Sequence, residues 1–486
     1  MTGITLSTRI KQLILLTGVA LTCLFISTFI HAATQHPANL PEGVTKILKR
    51  YNIPAESLSV YIRNLDRGEP LIAFNIDTPR NPASVIKLLT TYAGLSLLGP
   101  TYTWKTHFYL DGPLENGTLN GNLIIKGGGD PYLVRETFWH MLYTLRSRGL
   151  KNIKGDLLID DELFEDEPGS PGDFDNRPHR VYNTFPDATL LNFHAHHFHI
   201  IPQKNRVHIY ADPPSETLEI RNRLKLVNGK CGGKHYQIRM DILSQSTPTV
   251  VEFSGEYPAQ CGEREILRSM LRDDDYLYGV FRALWEDMGG TISGTFRKTT
   301  VHGKAPFYIG TSKPLSEIIT YINKYSNNVM ARQLLLTIGR EVLQTKGTKA
   351  SGRKAIEDWL YTIGINAPEL VVDNGSGLSR KARISARTLA LLLEHASRSF
   401  YQPEFYASLP LVGVDGTVRK RLTNRLEPGS ARIKTGLIKN VRSMAGYVQS
   451  KNGNQYLIVS LQNYTGVQNT IGTLIQDELL KWLYEK

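Results

Sequence analysis

The sequence predicts an α/β (α+β) fold, in which a helix–sheet–helix catalytic domain carries two inserted smaller, mainly β domains. Three stretches indicate the larger domain: alternating strands over residues 57–75, amphipathic helices between 315 and 397, and three strands followed by a helix over 431–484. A chain of 486 residues has room for roughly two to four domains. Its 41% hydrophobic and 21% charged residues exclude a disordered or collagen-like protein.

Residues 1–33 have the pattern of an export signal. Arg9 and Lys11 precede an uncharged run over residues 13–30, and Ala32-Ala33 stands before a polar stretch. The run is also long enough for a membrane anchor, but the pattern favours a cleaved signal peptide. We therefore expect an exported, periplasmic or otherwise extracytoplasmic protein.

The expected compartment decides how the cysteines are interpreted. Cys23 lies inside the apolar run, so the mature chain keeps Cys231 and Cys261. An even pair in an oxidising compartment predicts one disulfide. On the chain-entropy argument, closing a loop of about 30 residues stabilises the fold by roughly 3 kcal/mol.

Local patterns justify the first elements of the catalytic domain. Residues 57–64 and 71–75 flank the turn Asp66-Arg67-Gly68 and predict a β-hairpin. Asn81-Pro82 then opens a helix over 85–98, which a Gly-Pro pair ends. A strand hairpin that leads into an apolar helix places the start of that helix at one edge of a sheet.

The pattern changes between residues 101 and 301 to short strands with Pro and Gly punctuation, and helical spacing returns from residue 315. Strands over 431–436, 443–450 and 455–463, with a closing helix over 473–484, complete the sheet. The predicted domains are the catalytic domain at 38–100 and 302–486, the inserted domain II at 101–187 and 269–301, and a nested β domain III at 188–268 that holds the cysteine pair.

Ser84-Val-Ile-Lys87 is the first of three short motifs that can carry chemistry. Ser and Lys three residues apart project from one face of a helix. The free N–H groups of the first turn favour a developing oxyanion, and a neutral Lys can accept the Ser proton. The same spacing in Ser351-Gly-Arg-Lys354 follows a polar stretch, so it is interpreted as a solvated helix start.

The second and third motifs are Ser326-Asn-Asn328 and Lys434-Thr435-Gly436. Residues two apart do not share a helix face, so the Ser hydroxyl and the Asn328 amide can converge only from a turn. Lys434 and Thr435 offer a cation and a hydroxyl to a carboxylate, and Gly436 leaves room for a substrate backbone along the strand edge. The three motifs in this order match a set known from penicillin-binding proteins and class A β-lactamases.

Further segments make the resemblance more specific. Asp373-Asn-Gly-Ser-Gly-Leu-Ser-Arg380 is similar to a DGSGLSR segment with one extra residue, residues 409–417 (LPLVGVDGT) to LPLAGxDGT, and residues 127–131 to GGGDP. The chain resembles the class C penicillin-binding proteins, D-alanyl-D-alanine carboxypeptidases/endopeptidases of the peptidase S13 family, from about residue 40 to its C-terminus. The long interval between the first and second motifs separates it from β-lactamases. The resemblance implies a β-lactamase/transpeptidase-like fold for the catalytic domain.

The resemblance also implies the catalytic roles. Ser84 would be the acylated nucleophile and Lys87 its general base. Ser326 would shuttle the proton, and Asn328 would hold the substrate amide. The backbone N–H groups of Ser84 and Leu437 would form the oxyanion hole. The family usually has Thr or Ser at the Leu437 position, which leaves open how the activity divides between carboxypeptidase and endopeptidase.

Substrate binding is assigned in the same way. The residues that the resemblance implies for the substrate carboxylate and distal amine are Lys434, Thr435, Arg380, Asp160 or Asp161, and Phe164. Peptidoglycan stem peptides are the expected substrate and would form an acyl-enzyme on Ser84, and β-lactam antibiotics are the expected inhibitors. Alternatives are a β-lactamase, which would turn over penicillin rapidly, and a non-catalytic wall-binding scaffold of the same fold.

Two features suggest other ligands. Residues 193–201 (FHAHHFHII) place His194 and His196 on one strand face and His197 and His199 on the other. Either pair could bind zinc with a carboxylate such as Asp187, but an outward strand of this kind is more often solvent-facing, and no metal or cofactor is expected. The net charge of +12 comes without a nucleic-acid motif, so we expect no nucleic acid. It leaves open a peripheral association with membrane or cell wall.

Overall fold

The structure is a computed structural model that describes residues 40–232 and 236–486. A five-stranded antiparallel sheet forms its centre. The predicted opening hairpin and closing strands are confirmed as members of this one sheet. In spatial order its strands are Ala431–Ile438, Val441–Gln449, Gln455–Asn463, Leu58–Asn64 and Pro70–Phe74.

Helices cover both faces of this central sheet because successive apolar side chains on its strands point to opposite faces. Val60 and Ile62 are buried on one face, and Tyr61 packs on the other. The first face is covered by Glu42–Arg50 and Thr470–Tyr484. The helices that share the core of the second face are Lys87–Leu98, Leu315–Lys324, Asn328–Leu343, Lys349–Thr362, Ala386–Ser397 and Gln402–Ser408.

The helix start predicted at the second Ser-x-x-Lys pattern has a capping box. The Thr348 side chain accepts from the N–H of Ser351, and the Ser351 hydroxyl accepts from the N–H of Thr348, both at 2.9 Å. Ser351 therefore has a structural role at the first turn of Lys349–Thr362. Lys354 pairs instead with Asp358, one turn further along.

The described part of the chain between the helix Lys87–Leu98 and residue 311 forms four further sheets and two α-helices. The larger pair of sheets begins with a five-stranded one in the order Phe296–Lys298, Leu157–Asp160, Asn122–Lys126, Lys105–Asp111 and Tyr308–Thr311. A four-stranded one has the order Thr291–Ile292, Asn152–Ile153, Thr118–Leu119 and Leu114–Glu115. The helices are Arg135–Ser147 and Asp273–Asp287.

The nested part consists of two three-stranded sheets. One has the order Val207–Asp212, His196–Pro202 and Arg264–Arg268, and the other Leu218–Val227, Thr249–Pro258 and Gln237–Ser244. Side chains from the inserted and nested parts, such as Phe108, Phe198 and Phe253, belong to one hydrophobic cluster. The two parts therefore share a core, and Tyr308–Thr311 pairs with the inserted sheet beyond residue 301. The domain bounds themselves stay predictions.

No helix in residues 40–232 or 236–486 is long and apolar enough to cross a membrane. The predicted export signal falls on residues 1–33, which lie outside the described residues.

Cys231 and Cys261 form the predicted disulfide, with their Cα atoms 4.7 Å apart and a sequence separation of 30. We expect that reducing this bond lowers the free energy of unfolding by about 3 kcal/mol, because the unfolded chain regains the entropy of an open loop. Acylation by penicillin should persist, since neither cysteine lines the catalytic cleft. Thermal melting of the Cys231→Ser/Cys261→Ser variant beside wild type measures this. Finding two free thiols in the native exported protein would contradict the bond.

Candidate active site

Ser84 lies in a single 3₁₀ turn, Ala83–Ile86, that runs directly into the helix Lys87–Leu98. Ala83 is buried with a φ of 45°, an unusual backbone for a residue with a side chain. Two glycines let other segments approach this turn. A Cβ at Gly377 would lie 1.9 Å from the Ala83 carbonyl oxygen, and one at Gly436 would lie 2.9 Å from the Ser84 nitrogen. The Ser84 backbone is therefore held between a loop and a strand edge.

Lys87 is fully buried beneath Ser84. Its Nζ lies 3.0 Å from Ser84 Oγ and 2.8 Å from Asn328 Oδ1, and it also contacts the Ser376 carbonyl oxygen. A neutral amine has two N–H groups and one lone pair. The Asn328 and Ser376 oxygens can only accept, so they take both N–H groups and leave the lone pair for the Ser84 hydroxyl.

The surroundings of Lys87 favour this neutral amine. Burial holds the pKa of Lys87 well below its ordinary value, and the positive charges of Lys434 and Arg332 lower it further. Among the described residues, no carboxylate forms an ion pair with Lys87. Arg332 lies one helical turn after Asn328. The helix that begins at the second motif therefore also places a positive charge near Lys87.

Ser326 and Asn328 converge from a turn, as their spacing predicts. Ser326 has a φ of 58°, and the next residue caps the helix Asn328–Leu343 by accepting from the Met330 N–H at 3.1 Å. The left-handed residue reverses the chain just before the helix begins. This brings the Ser326 hydroxyl and the Asn328 amide to the same side of the cleft.

Lys434 is the second buried lysine of the site. Its Nζ donates to Ser326 Oγ and to the Thr435 carbonyl oxygen, both at 2.9 Å. Burial lowers the pKa of Lys434 to about 7. The Thr435 hydroxyl lies 3.0 Å from that of Thr417, which ends the LPLVGVDGT segment. The strand edge thus presents a cation and paired hydroxyls, groups suited to a carboxylate.

A cleft of about 620 Å³ opens over Ser84. Of the predicted site residues, Ser84, Ser326, Asn328, Arg380 and Leu437 line it. Four further predicted residues lie behind the lining. Lys87 contacts Ser84 and Asn328, and Lys434 contacts Ser326. Thr435 and Gly436 follow Lys434 on the strand Ala431–Ile438. The lining residues that the sequence did not single out are Phe174, Asp175, Arg177, Tyr182, Leu378, Ile438 and Lys439.

One wall of the cleft comes from the loop between residues 165 and 179. The Arg380 guanidinium carbon lies 4.5 Å from the centroid of the Phe174 ring, and the side chain donates to the Lys439 carbonyl oxygen at 3.1 Å. The Tyr182 hydroxyl donates to Asp175 at 2.7 Å. These contacts place an aromatic ring, a carboxylate and a guanidinium in the wall of the cleft that opens over Ser84.

The structure does not bring Asp160 and Phe164 to the cleft. The Asp160 carboxylate is buried and accepts from Lys126 Nζ and from the Val301 N–H, each at 2.8 Å. Phe164 is buried against Ala188 and Leu336. Neither residue lines the cleft, whereas Phe174 and Asp175 do.

The histidine-rich strand also differs from expectation. His194 and His196 are buried rather than solvent-facing. His194 forms an ion pair with Asp273 at 2.8 Å, and His196 Nδ1 lies 3.0 Å from the Pro213 carbonyl oxygen. Burial lowers the pKa of His196 to about 4. This pair therefore belongs to the core of the nested part, while His197 and His199 face outward.

Comparisons with known proteins find related sequences. A sequence profile of the D-Ala-D-Ala carboxypeptidase 3 (S13) family matches residues 40–486. The chain is 27% identical over 433 residues to a D-alanyl-D-alanine carboxypeptidase of Actinomadura sp., covering 85% of this chain and 79% of that protein. It is 23% identical over 411 residues to D-alanyl-D-alanine carboxypeptidase DacB of Haemophilus influenzae, covering 82% and 84%.

A solved structure has the same fold. The crystal structure of penicillin binding protein 4 from Haemophilus influenzae superposes with a TM-score of 0.77 at 21% identity, covering 92% of this chain and 100% of that chain. The same protein has been solved in complex with a β-lactam, and that structure matches with a TM-score of 0.72.

Proposed function

The chain belongs to the D-Ala-D-Ala carboxypeptidase 3 (S13) family, and we propose that it is a serine DD-peptidase of peptidoglycan that acts through an acyl-enzyme on Ser84. One observation carries the proposal more than any other. Buried Lys87 Nζ lies 3.0 Å from the Ser84 hydroxyl oxygen and also contacts two fixed acceptors, the Asn328 side-chain oxygen and the Ser376 carbonyl oxygen, so the neutral amine that burial favours can direct its lone pair at that hydroxyl. This arrangement activates a nucleophile without a histidine or a metal ion.

Acylation follows from these contacts. Lys87 takes the Ser84 proton while Oγ attacks the carbonyl carbon of the penultimate D-Ala. The developing oxyanion accepts from the backbone N–H groups of Ser84 and Leu437. When the tetrahedral intermediate collapses, the C–N bond breaks and the leaving amine takes a proton through Ser326. Water then attacks the ester by the reverse proton path, which frees Ser84 and releases the shortened peptide.

Substrate orientation is assigned to the strand edge and the loop wall. Lys434 and Thr435 bind the carboxylate of a terminal D-Ala, and the Asn328 amide holds the peptide. The distal part of the stem peptide lies toward Phe174 and Arg380. Leu437 is 53% exposed and offers no hydroxyl. A free carboxylate therefore has one hydrogen-bond donor fewer than in family members with Thr or Ser at this position. This supports a share of endopeptidase activity on cross-links beside the carboxypeptidase activity.

The same assignment extends to compartment and inhibitors. The pattern of residues 1–33 and the disulfide between Cys231 and Cys261 both fit an exported protein in contact with the cell wall. β-Lactams offer an acyl group and a carboxylate in the arrangement of the D-Ala-D-Ala end, so they acylate Ser84 in place of the substrate. The net charge of +12 favours association with anionic wall polymers.

We expect kcat/KM for D-Ala release to have a bell-shaped pH profile. Lys87 acts only when neutral, so the rate rises with pH through its lowered pKa. Lys434 binds the carboxylate only when charged, so the rate falls as pH passes its pKa of about 7. A bound carboxylate favours the charged form of Lys434, so the alkaline limb of kcat should lie at higher pH than that of kcat/KM.

The measurement is D-Ala release from a peptide ending in D-Ala-D-Ala between pH 5 and 10. In Lys434→Arg the alkaline limb should disappear below about pH 11, because a guanidinium stays charged. Lys87 and Lys434 titrate as a coupled pair, so Lys434→Arg and wild type are compared in one buffer series. An alkaline limb that is unchanged in Lys434→Arg would contradict the assignment.

A further inference from the structure

One group of chemically active side chains lies outside the catalytic cleft, on the outer face of the sheet formed by His196–Pro202 and Arg264–Arg268. His199 is directly opposite Glu265 in the antiparallel register. Side chains alternate along a strand, so Glu263 continues the face of Glu265, and His197 that of His199. The outward half of the histidine-rich strand therefore meets two carboxylates.

The donor atoms lie at the spacing of metal ligands. His199 Nδ1 is 3.0 Å from Glu263 Oε1 and 3.7 Å from Glu265 Oε1. The ligand atoms of these three residues all lie within 4.8 Å of one another. In a tetrahedral zinc site with bonds of about 2.0–2.1 Å, neighbouring ligand atoms are about 3.3 Å apart. Small side-chain adjustments bring the three donors to that distance.

Neighbouring side chains hold these donors in place. The His199 ring stacks on Tyr210 with centroids 4.6 Å apart and planes 3° from parallel, and its side chain is only 15% exposed. His197 Nδ1 lies 3.6 Å from Glu265 Oε2, the oxygen that does not face His199. Such outer contacts orient a ligand and are typical of metal centres.

The local charge favours a cation. Within residues 40–232 and 236–486, the ion pairs of Glu263 and Glu265 are made with imidazoles and not with Lys or Arg. The intervening Arg264 directs its guanidinium to Cys231 Sγ, at 3.6 Å. Two carboxylates that have no Lys or Arg partner repel each other, and a divalent ion between them removes that repulsion.

We infer that His199, Glu263 and Glu265 form a binding site for a divalent transition-metal ion of the zinc type. The imidazole ligates through Nδ1 with its proton on Nε2, each carboxylate supplies one oxygen, and water completes the tetrahedron. Ca²⁺ and Mg²⁺ suit the site poorly, because they need six or more oxygen ligands. The ion would fasten the strand His196–Pro202 to the chain just after Cys261, and so stabilise the nested part.

Calorimetric titration of the full exported chain with Zn²⁺ tests this site. Wild type should bind one ion per chain, and Glu265→Gln and Glu263→Gln should each weaken binding by at least about 10-fold to 100-fold, the loss that follows even when an outer partner of a ligand is removed. His208→Gln is the matched control, because His208 is an exposed imidazole on the neighbouring strand and is not one of the three ligands. This variant should bind as wild type does.

Co²⁺ gives a second readout that does not depend on activity. A tetrahedral Co²⁺ site absorbs visible light strongly, so wild type and His208→Gln should develop these bands and Glu265→Gln should not. Penicillin acylation should be the same in all variants, which separates this site from the catalytic one. Zn²⁺ binding of equal affinity in wild type and Glu265→Gln, or no binding by wild type, would overturn the inference.

Discussion

Ser84→Ala should abolish covalent labelling by penicillin and reduce D-Ala release by about 10⁴-fold or more. The substitution removes the Ser84 hydroxyl. This hydroxyl is the potential nucleophile that lies 3.0 Å from Lys87 Nζ. The turn Ala83–Ile86 holds no other hydroxyl that could be acylated in its place. The fold should persist, because Lys87 keeps its contacts with Asn328 and Ser376.

Ser351→Ala is the matched control for this variant. Ser351 has the same spacing to a lysine but acts in the capping box of Lys349–Thr362. We expect full acylation and a free energy of unfolding lower by about 1 kcal/mol, because the Thr348 N–H loses its bond to the Ser351 hydroxyl while the Thr348 cap itself remains. The assignment fails if Ser84→Ala still forms an adduct while Ser351→Ala does not.

Lys87→Arg should reduce the acylation rate by about 10³-fold or more, because a guanidinium cannot act as a base at neutral pH. Lys434→Arg should keep measurable acylation, since a positive charge is what that position supplies to the substrate carboxylate. The two substitutions make the same chemical change on two buried lysines of one site. Their difference therefore isolates the base from the carboxylate anchor.

Stopped-flow acylation by a chromogenic penicillin between pH 5 and 10 measures both rates. Circular dichroism and thermal melting show whether each variant is folded, because a buried guanidinium carries a desolvation cost. Lys87→Met, which is neutral and of similar length, gives a second test with less strain. If folded Lys87→Arg or Lys87→Met acylates at nearly the wild-type rate, Lys87 is not the base.

Much of the catalytic domain could be predicted from the sequence because its elements have strong periodicity. The hairpin around residues 58–74 and the closing strands combine apolar alternation or apolar runs with turn residues between them, and both occur where expected. Ser84 could be distinguished from Ser351 because an apolar helix follows it. The spacing of Ser326 and Asn328 excluded a helix face, and the left-handed φ of Ser326 agrees.

The substrate-facing wall could not be predicted in the same way. Phe174 and Asp175 lie in a loop rich in Gly, Pro and Asp, where no periodicity indicates which side chain points inward. Asp160 is at the end of a buried strand, and its carboxylate has partners inside the inserted part. The burial of His196 depends on its contact with Pro213, which is distant in sequence. Arg332 was one helical turn from Asn328, so i, i+4 spacing could have found it.

The central claim is that Ser84 forms the acyl-enzyme, and one measurement tests it most directly. The purified wild-type chain is labelled with a fluorescent penicillin, digested, and the adduct is mapped by tandem mass spectrometry. The account predicts one adduct per chain, on Ser84, that persists for minutes or longer. An adduct on Ser326 or Ser351 would contradict the assignment of the nucleophile, and rapid turnover of penicillin without a stable adduct would indicate a β-lactamase.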